Sequence, residues 1–400
     1  MHEVSEADEI LRTLQLDWSS EEVLLQDACG RILAENIVSD RPLPPCDCAA
    51  VKGIAIAREA LGKQKKFLLQ GVQPMGYPPI SLMDAQGCLE IAKGAVLPDG
   101  CDMVIPQEEI DLLDGYYCLN DQFDGPQDKH VLFMGGDYEE GDILACQGQE
   151  LTPALVGLCA LVGCSELPVI AKVPVVLVGT GNSLVSVKES PKNYQLRRSN
   201  TYAAAAALVQ QGIFEVEYRQ LKFNSENAVA QMEALLEEKG IIILCGGHSH
   251  GLFDYLPAVL DHVQAKVLIH GINMKPDSSF VYAEKDGLPI FALPGNPVAL
   301  MAGLCRFVIP HLWRCFGRTQ ESPKALALVK SVKPHSASVS FLAVKKQWGQ
   351  EGVKADALAF DDPLSSRALA QCNGVVEIPP GEEERSSEEY YSYYSWDYSS

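Results

Sequence analysis

Three short apolar runs in the second half of the chain each end in a glycine-rich loop. The runs cover residues 175–178, 241–244 and 289–292. Continuous apolar runs of this length are typical of strands that are buried on both faces of a parallel sheet. Because the carboxyl ends of parallel strands share one edge, the loops predict a ligand crevice at that edge. Their glycines allow backbone N–H groups to approach an anionic ligand closely.

Helical patterns separate and follow these strands. Ser199 and Asn200 are typical of a helix start, and Gly212 ends the alanine-rich run that follows them. Two more helices are predicted over residues 226–239 and 298–316. The alternation of strand and helix predicts an α/β domain with a mostly parallel sheet.

Outside this domain the pattern changes several times along the chain, which predicts a multidomain α/β protein. Short apolar runs with many glycines and prolines predict β structure. A segment that is nearly all Glu, Ser and Tyr predicts disorder. We therefore expect a helical and extended domain (residues 1–45 and 141–172), a β-rich domain (46–140), the α/β domain (173–320), a small C-terminal β domain (323–380) and a disordered tail (381–400).

Composition narrows the class of protein. The formal net charge of −21 argues against nucleic acid and anionic membranes as partners, because phosphate binding needs clustered basic residues. No apolar run reaches the roughly 18 to 20 residues that span a bilayer. The acidic N-terminus is unlike a secretory signal, so we expect a cytoplasmic protein. The 13 cysteines include no CxxC pair and are expected to be reduced, buried thiols.

One loop leaves two interpretations open. Cys245, His248 and His250 have a spacing that a metal site could use. The glycines around them, and the lack of a further nearby ligand, favour an anion-binding loop instead.

Short motifs appear in a fixed order along most of the chain. They are Gly30-Arg31, Leu43-Pro44-Pro45, Gly94-Ala95, Gly135-x-Asp137, Thr180-Gly181, Ser199-Asn200, Gly246-Gly247-x-Ser249-x-Gly251, Asp254-Tyr255, Met274-Lys275-Pro276 and Leu293-Pro294-Gly295-Asn296-Pro297. In this order they resemble the molybdopterin molybdotransferase family, which includes bacterial molybdenum-insertion enzymes and the C-terminal domain of gephyrin. The resemblance spans roughly residues 20 to 380.

The resemblance implies a function and a set of site residues. Members of that family bind adenylated molybdopterin, admit molybdate, and release AMP with help from a divalent cation such as Mg²⁺. They are homodimers whose site lies between the α/β domain of one subunit and the second domain of the other. The implied catalytic residues are Asp137, Asp254 and Lys275. The implied pterin-binding residues are Thr180, Gly181, Ser199, Asn200, Gly246, Gly247, Ser249, Gly251, Pro294, Gly295 and Asn296.

The sequence departs from the family pattern mainly where the family carries acids and hydroxyls. The substituted positions are Lys52, Lys93, Asn182, Ser183, Asn224 and Ser278. Divalent cations prefer anionic oxygen ligands, so these changes predict poor Mg²⁺ binding and leave the metal ligands unknown. Arg197 and Arg198, at a predicted helix start, either hold a phosphate of the ligand or are surface charges.

Two functions therefore remain open from the sequence. The first is molybdate insertion into adenylated molybdopterin with AMP release. The second is a non-catalytic paralogue that binds or carries molybdopterin, or serves as a scaffold. In both, the expected partners are the small anionic pterin, molybdate and a second copy of the chain.

Overall fold

The structure is a computed structural model that describes residues 1–221, 228–246, 255–318, 323–349, 352–358 and 367–396. The helices are α1 (Val4–Leu11), α2 (Arg58–Leu61), α3 (Pro153–Leu161), α4 (Ser199–Val209), α5 (Ala228–Glu237), α6 (Leu256–His262), α7 (Pro297–Ala302), α8 (Ile309–Cys315) and α9 (Arg367–Gln371).

The strands of the first half are β1 (Ser20–Leu24), β2 (Ile37–Val38), β3 (Cys48–Ala49), β4 (Gly53–Ile56), β5 (Lys66–Gln73), β6 (Gly87–Ile91), β7 (Met103–Pro106), β8 (Ile110–Leu113), β9 (Tyr116–Leu119), β10 (Val131–Leu132), β11 (Ile143–Ala145), β12 (Glu166–Ile170) and β13 (Val173–Thr180).

Those of the second half are β14 (Leu184–Val185), β15 (Leu196–Arg197), β16 (Phe214–Leu221), β17 (Ile241–Cys245), β18 (Lys266–His270), β19 (Met274–Lys275), β20 (Val281–Lys285), β21 (Leu288–Leu293), β22 (Lys324–Leu328), β23 (Val339–Gly349), β24 (Gly352–Ala357), β25 (Gly374–Ile378) and β26 (Tyr390–Ser395).

The chain divides into two compact units. The larger consists of Met1–Glu35, Gln147–Pro153 and Glu166–Ser400, and the smaller of Asn36–Cys146 and Ala154–Ser165. The smaller unit contains a six-stranded sheet in the order β7-β4-β6-β5-β9-β8, in which only β5 and β6 run parallel. Its apolar core includes Ile54, Phe67 and Ile105.

The α/β sheet of the larger unit has the order β16-β13-β17-β21-β20-β18. The first four strands are parallel, and β20 and β18 are antiparallel to their neighbours. Alternate residues of β17 enter two different cores: Ile243 packs with α4, α7 and α8, and Ile242 packs with α5 and α6. Burial on both faces explains the continuous apolar runs and confirms the predicted α/β fold.

The helices of the α/β domain agree closely with the sequence patterns, with one omission among the described residues. The predicted helix over 298–316 is a continuous helical segment from Pro297 to Cys315, in which a π-helical stretch, Gly303–Val308, joins α7 to α8. Within the described residues it is long and apolar enough to cross a membrane, but 67% of its most apolar window is buried in the protein, as in a core helix. Helix α6 was not predicted, because it has only seven residues and contains Pro257.

A closed β-barrel completes the larger unit. Its strands are hydrogen-bonded in the spatial order β23, β24, β22, β26 and β25. A further pairing between β23 and β25 closes the barrel, and β19 adds to it by pairing with β23. The prediction of a disordered tail over 381–400 was wrong for Tyr390–Ser395, which form β26 between β22 and β25. Tyr391 and Tyr393 are only 6% and 4% exposed. The tyrosine rings supply the buried apolar surface that a segment rich in Glu and Ser otherwise lacks.

Candidate functional site

The carboxyl ends of β13, β17 and β21 meet at one edge of the α/β sheet. In the sheet register Gly179 lies beside Cys245, and Cys245 lies beside Leu293. Strand β16, the next parallel strand along the chain, lies on one side of β13, and β17 lies on the other. The chain therefore reverses direction across the sheet between β13 and β17. Open α/β sheets bind ligands outside the strand ends at such a switch point.

Gly246 brings two of the three loops together at this edge. It has φ +89, a left-handed conformation that favours glycine, and a Cβ there would lie 3.7 Å from both Gly295 Cα and Thr180 O. Its N–H donates to Leu293 O at 3.1 Å. This N–H therefore links two strand ends. Because it is already bonded, an anion in the crevice has to be held by neighbouring groups.

Two asparagines position the loop after β21. Asn200 Nδ2, in the first turn of α4, donates to Gly295 O at 2.9 Å. Asn296 Oδ1 accepts from Ala299 N at 2.9 Å and caps α7, while Pro297 occupies the first helical turn. Pro294 is buried and Gly295 is exposed. Gly295 is thus held exposed between two buried residues at the end of β21.

Thr180, the last residue of β13, carries a buried hydroxyl at this end of the sheet. Its side chain is 2% exposed, and its Oγ1 has no hydrogen-bond partner among the residues that the structure describes. An unpaired buried hydroxyl costs about 1 to 3 kcal/mol, so a ligand that bonds to it recovers that free energy. Gly181, with φ +133, turns the chain immediately after it.

Arg198 adds positive charge beside the same strand end. Its Cδ lies 3.0 Å from where a Gly179 Cβ would stand, so only glycine lets the arginine cross β13 there. Nη1 donates to Arg219 O at 3.4 Å, and the buried Nε has no partner within the described part of the chain. Arg197, in contrast, is exposed, and its Nε donates to Glu189 O. Of the two alternatives for these arginines, proximity to the crevice favours ligand contact for Arg198.

Other predicted residues of the larger unit lie on different elements. Ser199 is exposed at the start of α4, although it is the first helical residue and not the cap. Lys275 is exposed on β19, where it pairs with Ser340 of the barrel strand β23. Ser278 is half-buried, and its carbonyl accepts from Ile272 N and Phe280 N. The structure does not show Lys275 and Ser278 joined to the loops of the crevice.

Two substituted positions follow β13 directly. Asn182 and Ser183 are both exposed, and Ser183 O accepts from Leu196 N at 2.9 Å. This bond belongs to the short parallel pair β14–β15, which connects β13 to α4 along the chain. Neither side chain supplies the anionic charge that a divalent cation prefers.

The smaller unit carries the remaining described candidates. Lys52 immediately precedes β4 and Lys93 follows β6 closely, and Gly53 pairs with Ile91 across these strands. Both exposed lysines therefore lie at the same end of the β4–β6 strand pair. Asp137 is exposed, and its N–H donates to Leu43 O at 2.9 Å.

Several predicted residues lie outside the described part of the chain: Asn224, Gly247, His248, Ser249, His250, Gly251 and Asp254. Of the alternative Cys-His-His metal site, only Cys245 is described. Burial raises the pKa of its thiol to about 12, which keeps it protonated and makes it a poor metal ligand. Among the described residues, no group of three or more His, Cys, Asp and Glu side chains could hold a metal ion.

Comparison with known proteins agrees with this geometry. Residues 2–163 match the family described as "MoeA N-terminal region (domain I and II)", and residues 176–314 match the family described as "Probable molybdopterin binding domain". The latter range contains the strand ends of the crevice.

Two relatives match most of the chain. A molybdopterin molybdenumtransferase from Synechocystis is 28% identical over 400 residues, which cover 99% of this chain and 100% of the relative. A second, from Staphylococcus aureus, is 26% identical and covers 90% of this chain and 87% of the relative. The crystal structure of a molybdopterin biosynthesis MoeA protein from Pyrococcus horikosii superposes with a TM-score of 0.78 at 25% identity, covering 99% of each chain. The chain thus carries a MoeA N-terminal region followed by a probable molybdopterin-binding domain, and it is similar along nearly its whole length to molybdopterin molybdenumtransferases.

Proposed function

We propose that this protein is an enzyme of molybdenum cofactor biosynthesis, which inserts molybdate into adenylated molybdopterin and releases AMP. The observation that carries the proposal is the buried Thr180 hydroxyl at the switch point of the sheet, which has no hydrogen-bond partner among the described residues. A buried hydroxyl of this kind suits an anionic ligand that accepts its proton in a hydrogen bond. The relatives named as molybdopterin molybdenumtransferases support the choice of ligand.

The crevice residues have separable roles in this proposal. Thr180 Oγ1 and the Arg198 guanidinium hold phosphate oxygens, and the guanidinium contributes the charge that an acidic protein must supply locally. Gly181 and Gly295 keep side chains away from the ligand. Asn200 and Asn296 hold the Gly295 loop in place. Gly247, Ser249, Gly251, Pro294 and Lys275 are proposed as further pterin contacts from the family pattern alone.

A divalent cation fits the described residues poorly. Among the described residues, the acid candidate is the exposed Asp137. The other positions where the family carries acids or hydroxyls are occupied here by Lys52, Lys93, Asn182 and Ser183. No step of the proposed reaction is assigned to Mg²⁺, and we expect AMP release to depend weakly on it. The positive charges of Lys52 and Lys93 suit an oxyanion such as molybdate better than a cation.

The experiment that tests the function measures AMP released from adenylated molybdopterin by the full chain, with and without molybdate. Release that requires molybdate, and that falls in Thr180→Val, supports the proposal. Binding of the adenylated pterin without any molybdate-dependent release would overturn it and leave the non-catalytic carrier or scaffold as the function. The comparisons do not favour that alternative.

The same assay with a chelator tests the proposed metal dependence. We expect the unmodified protein to lose less than about half of its rate on chelation, and Lys52→Asp combined with Ser183→Glu to become partly Mg²⁺-dependent, since two carboxylates are restored. A rate of order 1 s⁻¹ that chelation abolishes would show that other carboxylates, such as Asp137 and Asp254, hold the metal.

Assembly and location complete the proposal. We propose a cytoplasmic homodimer, because the family pattern places the site between two subunits and the 13 cysteines, which include no CxxC pair, suit a reducing compartment. Light scattering at micromolar concentration should give twice the mass of one chain. A strictly monomeric particle would contradict both the dimer and a site formed between two subunits.

A further inference from the structure

Two cysteines of the smaller unit face each other across one residue. Cys46 Sγ and Cys48 Sγ are 3.6 Å apart, and Cys48 Sγ also donates to Cys46 O at 3.1 Å. Both side chains are half-buried, so the sulfur pair is accessible to small molecules. Neither thiol has a role in the function proposed above.

The residue between them is fixed from two sides. Asp47 Oδ1 accepts from Met134 N at 2.7 Å, and Asp47 O accepts from Leu97 N at 2.8 Å. Cys48 pairs with Leu132 in the β3–β10 ladder. This framework holds both thiols on the same side of the chain, and it does so independently of any ligand.

The pair suits disulfide formation better than metal binding. A structural zinc site needs four ligands, and the described residues contain no cluster of three or more ligating side chains. A disulfide needs its sulfurs at about 2.05 Å, so rotation of the two side chains has to bring them together by about 1.5 Å. We propose that Cys46 and Cys48 are a redox-active dithiol that closes reversibly to an intrachain disulfide.

The closure proceeds by exchange with a low-molecular-weight disulfide, for which oxidised glutathione is the probe. The Cys46 thiolate attacks one glutathione sulfur, forms a mixed disulfide and expels one glutathione thiolate. Cys48 then loses its proton to solvent and attacks Cys46 Sγ, which expels the second glutathione. Two protein thiols are oxidised and one glutathione disulfide is reduced to two thiols.

The hydrogen bond from Cys48 Sγ to Cys46 O at 3.1 Å sets the order of these steps, because it retains the proton on Cys48. Burial raises the pKa of Cys48 to about 11, with hydrogen bonding to Cys46 as a further cause, so its thiol stays protonated at neutral pH. The thiolate is the nucleophile in exchange. Cys46 is therefore the attacking residue, and Cys48 is the resolving residue.

The test titrates the full-length protein with oxidised glutathione, alkylates the remaining thiols and measures tryptic masses. The peptide of residues 32–52 contains Cys46 and Cys48 and no other cysteine. We expect it to lose the mass of two hydrogens and to resist alkylation, and reduction should restore both alkylation sites. Exposed Cys29, which lies on another peptide, is the internal comparison and should gain glutathione.

Single variants separate exchange from simple exposure. Cys48→Ser should stop at a glutathione adduct on Cys46, and Cys46→Ser should react more slowly than the unmodified protein. The proposal is overturned if the unmodified peptide retains two alkylated cysteines, or carries a stable glutathione adduct, at concentrations that convert Cys29. Because this test needs no pterin and no turnover, its result is independent of the proposed function.

Discussion

At the scale of single residues, the Thr180 hydroxyl is the sharpest probe of the crevice. Thr180→Val keeps the shape of the side chain and removes the group that has no partner within the described residues. We expect AMP and adenylated pterin to bind about 5- to 10-fold more weakly, since one hydrogen bond contributes about 1 kcal/mol. Isothermal titration calorimetry measures this change. Stability should be unchanged or slightly higher, because an unpaired buried hydroxyl is lost.

Thr201→Val is the matched control for that variant. Thr201 is also 2% exposed, but its Oγ1 already donates to Arg198 O at 3.4 Å. Its replacement should affect stability more than ligand affinity. Equal affinities of Thr180→Val and the unmodified protein would place the ligand elsewhere.

His311 predicts a pH dependence of stability. The side chain is 3% exposed, Nδ1 contacts Phe307 O at 2.7 Å, and burial lowers the pKa of the imidazole. Nearby charges are Asp8, Arg306 and Arg314. The unfolded chain takes up a proton near the ordinary histidine pKa of about 6.5, while the folded chain resists it. The free energy of unfolding therefore falls as pH drops below about 6.5, by at most about 1.4 kcal/mol per pH unit.

His311→Asn tests this contribution, because it keeps a donor for Phe307 O and removes the titration. Denaturant unfolding between pH 8 and pH 5 should show a shallower slope for this variant than for the unmodified protein. Exposed His262→Asn is the control and should leave the slope unchanged. Parallel pH profiles for His311→Asn and the unmodified protein would contradict the assignment.

At the scale of elements, the start of α7 combines a structural and a binding role. Asn296→Ala removes the cap on Ala299 N and should lower the free energy of unfolding by about 1 kcal/mol. Asn296→Asp preserves the cap but places a negative charge at the crevice. We expect near-native stability and weakened AMP binding for the aspartate variant, measured by thermal unfolding and calorimetry. Unweakened binding in Asn296→Asp would separate the cap from the ligand site.

At the scale of the whole molecule, Arg306 connects three parts of the larger unit. Its guanidinium donates to Asp8 of α1 at 2.8 and 2.7 Å and to Glu377 of β25 at 2.9 Å, and it lies 5.3 Å from the Tyr394 ring of β26. Tyr394 OH also donates to Glu377 at 2.9 Å. One buried cation thus joins the N-terminal helix, the helical core and the last strand of the barrel.

Replacement of this cation should destabilise the unit strongly. Arg306→Met leaves two largely buried carboxylates without their cation, and we expect a loss of about 3 to 5 kcal/mol in denaturant unfolding. Arg219→Met is the matched control, because Arg219 pairs with Glu217 and Glu238 but is 41% exposed. It should cost no more than about 1 kcal/mol. Similar losses in the two variants would show that the Arg306 network is not specially stabilising.

Sequence by itself determined the features that depend on local pattern. Apolar runs buried on both faces predicted β13, β17 and β21 of the parallel sheet, and Ser199-Asn200 and Pro297 predicted where α4 and α7 begin. The glycines predicted where loops would meet. Each of these signals is carried by neighbouring residues, so no distant partner is needed to read it.

The tertiary structure decided the features that need distant partners. Tyr390–Ser395 have the composition of a disordered segment, and they form a strand only because β22 and β25 supply ladder partners for them. Only the tertiary structure distinguishes Arg198 from Arg197, because it packs the Arg198 side chain against Gly179. The facing sulfurs of Cys46 and Cys48 depend on contacts of Asp47 with residues some 50 and 87 positions away. Such pairings depend on chain topology, which local periodicity does not encode.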